Sequence, residues 1–104
     1  MRKSTLAPSY VALYPGLSEI ARTLGYSLAI HGSVQTDMDL VAIPWTAEAV
    51  SAEELIARFI SHLAMLPPYA SGASEAELKP HGRRAWLIDL GYGAVLDISV
   101  MPRS

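Results

Sequence analysis

Apolar positions recur along this chain at two periods, one helical and one extended. Leu17, Ile20, Ala21 and Leu24 follow helical spacing, with Ser18, Glu19, Arg22 and Thr23 on the other side, which predicts a short amphipathic helix. Pro15 suits its first position, where a missing amide has no partner to lose, and Gly25 suits its C-terminal cap. Residues 1–10 are then expected to form a loosely ordered N-terminal segment. Tyr26 to Gly32 and Met38 to Trp45 are short apolar runs, the second ended by Pro44, and so few residues between them predict a tight antiparallel hairpin. Ser51 and Glu54 form a capping box ahead of a stripe of Leu55, Ile56, Phe59, Leu63 and Leu66, and Pro67-Pro68 stops that helix. Tyr69 to Ser74 reads as loop and Glu75 to Leu78 as a helical turn. Ala85 to Leu90 and Ala94 to Met101 make a second hairpin around Gly91-Tyr92-Gly93. The order α-β-β-α-β-β predicts an α+β fold, a two-layer sandwich with two helices on one face of a four-stranded mixed or antiparallel sheet.

The bulk properties narrow this picture. A chain of 104 residues with 51% apolar and 17% charged residues holds one packed domain. Its mean hydropathy of +0.26 suggests apolar surface shared with a protein partner or a second copy. A net charge of −2, with no basic face, argues against strong nonspecific nucleic-acid binding. Without cysteine there is no disulfide, thiolate nucleophile or cysteine-ligated zinc. Met1 to Ala7 has no apolar run behind its basic residues, and no stretch approaches the ~20 apolar residues of a membrane span, so a cytoplasmic protein is expected.

Asp37 and Asp39 flank Met38 at the start of a strand, and side chains two apart on a strand point the same way. Two anionic groups so placed repel unless a cation lies between them, and hard oxygen ligands suit magnesium or manganese. A turn-forming, strand-edge role is the plainer alternative. Upstream, His31-Gly32-Ser33 offers backbone amides and a hydroxyl to a phosphate. His31 is a ligand, an acid–base group or a hydrogen-bonded strand end. Lys79-Pro80-His81-Gly82-Arg83-Arg84 gathers cations suited to phosphate, Lys79 and Arg83 ahead of Arg84, or is a solvated turn. Trp45 either covers the core edge or stacks a base.

The segment Ala29-Ile30-His31-Gly32-Ser33, followed by Asp37-Met38-Asp39-Leu40-Val41, resembles the signature of the nucleotidyltransferase superfamily, the polymerase-beta-like fold. In that family an apolar strand ends in Gly-Ser and the next carries Asp-x-Asp. The resemblance implies a third carboxylate on a later strand, for which Asp97 in Val95-Leu96-Asp97-Ile98 is preferred over Asp89 in Leu87-Ile88-Asp89-Leu90. It further implies that Asp37, Asp39 and Asp97 are both metal ligands and catalytic residues, and that Asp97 helps activate an attacking hydroxyl. Gly32, Ser33, Lys79 and Arg83 would hold a nucleotide or other phosphate ligand. The spacer Val34-Gln35-Thr36 is shorter than the family's, which implies a reduced phosphate-binding surface. Short forms of this fold are antitoxin-like partners or products of phage and other mobile genomes. The expected function is therefore metal and nucleotide binding with nucleotidyl transfer to a hydroxyl. The alternatives are a degenerate module acting by protein–protein contact and a metal enzyme that cleaves phosphodiesters.

Overall fold

Alternate residues of the long strands are buried, and they line one face of a single mixed sheet. The structure, a computed structural model, describes residues 7–32, 34, 37–66, 72–91 and 93–102. Helix α1 spans Ala7–Thr23, strands β1 and β2 span Tyr26–His31 and Asp37–Pro44, and helix α2 spans Ala52–Ala64. Two-residue strands β3 (Gly72–Ala73) and β4 (Glu77–Leu78) follow, then a 3-10 turn at Pro80–Gly82, β5 (Arg84–Gly91) and β6 (Ala94–Val100).

The sheet runs β1-β2-β6-β5-β3, with β4 also pairing β5. β1 and β2 are antiparallel, as are β5 and β6, while β2 and β6 are parallel. The fold is α+β as expected, and the sheet is mixed. The four long strands match the expected ones to within a residue or two. The expected count and order need correction, because among the described residues the sheet has six strands. Neither β3 nor β4 is long enough to show a period, and where a helical turn is expected over Glu75 to Leu78 no helix forms, with Glu77–Leu78 forming strand β4.

Register partners across a sheet share a face. The buried face carries Leu28, Met38, Leu40, Leu96, Ile98, Trp86 and Ile88, joined in one core by Leu13 and Leu17 of α1 and Leu55, Phe59 and Leu63 of α2. Both helices therefore cover that face. An added side-chain carbon on Gly16 would meet His62 Nε2 at 2.9 Å, so glycine lets the two helices approach closely. Ser51 caps α2 as expected, its hydroxyl accepting the Glu54 amide at 3.1 Å.

Helix α1 corrects a second expectation. It begins at least eight residues before Pro15, which lies inside it. Residues 1–6 lie outside the described residues, but Ala7 to Tyr10 is helical and Tyr10 is fully buried, so this part of the N-terminal segment is ordered. Tyr10, Leu13, Leu17 and Ala21 form the buried stripe, and Pro15 is exposed. Core packing by that stripe outweighs the local cost of a proline, whose ring removes one helical hydrogen bond. The expected stop at Pro67-Pro68 and the tip of the second hairpin at Tyr92 lie outside the described residues. Trp45, one of the two tryptophans, is 61% exposed and does not cover the core edge, whereas Trp86 is buried.

Candidate functional site

Among the described residues, neither α1 nor α2 covers the sheet's other face, and the sequence's alternation places the acidic residues there. Asp37, Asp39, Val41 and Ile43 alternate with buried Met38, Leu40 and Ala42 along β2. The parallel register then sets Asp39 directly opposite Asp97 of β6 and Asp37 opposite Val95. On the other side of β2, His31 is the register partner of Asp39. One row across the open face thus reads His31, Asp39, Asp97, Leu87. The Asp39 carboxylate lies beside Gly32, where an added carbon would stand 3.8 Å from Oδ2, and Gly32 holds a left-handed φ of 71°.

Register also separates Asp97 from Asp89. Asp89 shares the open face but sits on β5, with β6 between it and β2. Its Oδ1 accepts the Gly91 amide at 2.8 Å, so it caps the end of its own strand.

The basic turn closes over the same row. The Lys79 amide donates to the Arg83 carbonyl at 2.7 Å, and left-handed His81 (φ 67°) and Gly82 (φ 73°) make the bend. Lys79, Arg83, His31, Asp39, Asp97 and Ser99 line one open recess of about 160 Å³. Lys79 also pairs with Glu77 at 2.9 Å. Arg83 Nε is buried and has no hydrogen-bond partner among the described residues, an unmet donor at the edge of the recess. Arg84, by contrast, faces the helices. It pairs with Glu53 and lies 5.3 Å over the Trp86 ring, a structural placement.

Electrostatics mark Asp97 as the unusual group. Burial pushes its carboxyl above the ordinary carboxylate range, and the neighbouring charge of Asp39 and, more weakly, Asp37 pushes the same way. Lys79 and Arg83 pull it down without cancelling the rise. Two carboxylates in register, one reluctant to ionise, form a donor pair suited to a hard cation that takes its remaining ligands from water or phosphate. No group of three or more His, Asp or Glu side chains stands in metal-holding geometry among the described residues. Asp37 is exposed and does not line the recess, so the carboxylates that line it are those of Asp39 and Asp97.

Of the expected site residues, the fold therefore brings together Asp39, Asp97, Lys79, Arg83 and Gly32, with Asp37 one row away. Ser33 lies outside the described residues. Sequence reasoning passed over Ser99, which lines the recess, and Tyr10, whose hydroxyl reaches the head of β6. The spacing of Tyr10 with Leu13 and Leu17 was the available signal for the latter. Among the described residues, no helix is long and apolar enough to cross a membrane. Comparison with protein-family models, with curated proteins and with solved structures finds no match to this chain.

Proposed function

We propose that this chain is a minimal nucleotidyltransferase-like protein that binds a divalent cation, magnesium or manganese, together with a nucleotide or related phosphate ligand. The observation that carries this reading is the register pairing of Asp39 with Asp97 in a recess that Lys79 and Arg83 also line. Asp39 and Asp97 supply the oxygen ligands, and Asp37, on the same face of β2, adds negative charge beside them. Lys79 and Arg83 hold phosphate oxygens, arginine by a bidentate contact. When bound, the cation supplies charge neutralisation at the phosphates. If a hydroxyl acceptor reaches the recess, Asp97 takes its proton, a role suited to a carboxyl held above its usual range.

Isothermal titration with Mg2+ and Mn2+, alone and with nucleoside triphosphates, tests the reading. Binding that Asp39→Asn and Asp97→Asn each abolish is the expected result. No heat in any titration sinks it.

A second reading rests on a different observation. Ile43 and Leu87 are about half exposed on the same open face, Leu87 at the end of the carboxylate row and Ile43 further along β2. A degenerate module that docks a protein partner there would keep its partner when Asp37 and Asp39 become asparagine, whereas ligand binding would not survive that change.

A further inference from the structure

The hydroxyl of Tyr10 crosses from helix α1 to the strand that carries Asp97. Tyr10 is fully buried, and its oxygen accepts the Val95 amide at 2.9 Å, a bond between residues at opposite ends of the chain. Burying a hydroxyl is unfavourable unless it is hydrogen-bonded, so a phenylalanine would fill this part of the core at lower cost. The oxygen therefore calls for an explanation beyond packing. Its partner supplies one. Val95 is the register partner of Asp37 and lies two residues before Asp97, on the same face of β6. The bond pins the head of β6 at the point where β6 begins to pair with β2, next to both carboxylate-bearing segments.

Resting on the carboxylate-centre reading above, we infer that Tyr10 is a positioning residue of that centre, fixing β6 against β2 so that Asp97 keeps its spacing from Asp39 and Asp37. The charge of Asp37 reaches the Tyr10 hydroxyl and, after burial, adds to the forces raising its pKa, which puts the phenol close to the acidic cluster. Tyr14, one turn along the same helix, is the natural control. Its hydroxyl donates to the Leu28 carbonyl of β1, a strand that does not pair with β6.

The test compares cation affinity in Tyr10→Phe and Tyr14→Phe, each of which removes one oxygen and keeps the ring. Groups that orient metal ligands directly are worth about tenfold or more in metal affinity, and Tyr10 acts one step removed, through the backbone of β6. Titration with Mn2+ should show Tyr10→Phe about tenfold weaker than the unaltered protein and Tyr14→Phe unchanged. Equal affinity in Tyr10→Phe and the unaltered protein overturns the inference and leaves the carboxylate centre standing. So does an equal loss in both variants, which would report general loosening. An unaltered protein that binds no Mn2+ overturns the centre and the inference together. If Tyr10→Phe does not fold, the unaltered protein still decides. Magnesium should move the 13Cζ resonance of Tyr10 and leave that of Tyr14 in place, and binding that leaves Tyr10 unmoved overturns the inference.

Discussion

Asp97 is a carboxyl that the fold makes reluctant to ionise, chiefly through burial and then through Asp39. Below the ordinary carboxylate range it is protonated whether the chain is folded or not, and it contributes nothing to stability. As pH rises from the ordinary carboxylate range towards the raised value, the unfolded chain ionises while the folded one keeps its proton, so stability falls, and the loss is complete above the raised value. Asp97→Asn should therefore raise the melting temperature in chelator at neutral pH. The gain should fade as pH falls below the ordinary carboxylate range, as differential scanning fluorimetry across pH can show. A gain that persists at low pH would mean that packing, not charge, was relieved. Gly25 makes a sharper demand. At φ 94°, an added carbon would come 2.7 Å from the Ala49 backbone, so Gly25→Ala should cost about 1–3 kcal/mol in urea unfolding. Gly25 was legible as a helix stop, and the two-residue strand period put Asp37 and Asp39 on one face. What the period could not give was the identity of the third carboxylate. Asp89 and Asp97 sit in near-identical apolar runs, and only strand order distinguishes a register partner of Asp39 from a residue one strand further away.

Among the elements, helix α1 departs most from its sequence signal, and Pro15 is the cause. A proline before an amphipathic run reads as a helix start. Here the stripe of Tyr10 and Leu13 continues upstream and pulls the preceding turns onto the core. Because Pro15 is exposed and its own amide contributes no bond, Pro15→Ala should stabilise the protein by about 1–3 kcal/mol, read as a higher melting temperature. Helix α2 behaved as its caps promised. Ser51→Ala removes the acceptor for the Glu54 amide and should cost about 1 kcal/mol. The long strands were legible for the same reason, alternation over seven or eight residues. β3 and β4 were not, because each exists only through its pairing with β5, and two residues carry no period.

At the scale of the whole molecule, β6 is the strand on which the fold depends. It pairs β2 on one side and β5 on the other, and Leu96 and Ile98 are both fully buried beneath the helices. Ile98→Ala or Leu96→Ala should cost about 2–5 kcal/mol. For a domain whose total stability is about 5–15 kcal/mol, that is enough to populate unfolded chain at moderate temperature, visible in circular dichroism melts. The layer arrangement was legible from element order, whereas the choice between a mixed and an antiparallel sheet was not, since two hairpins leave the direction of the strands that meet between them open. That parallel seam has a consequence for how the protein comes into being. Asp39 and Asp97 lie more than half the chain apart, and each sits in its own hairpin of neighbouring strands. Neither hairpin owns the pocket. It comes into existence only when a long-range closure joins the two halves. An ion that favours the paired carboxylates would thus act as a clasp on the finished protein, slowing its opening rather than hastening its assembly.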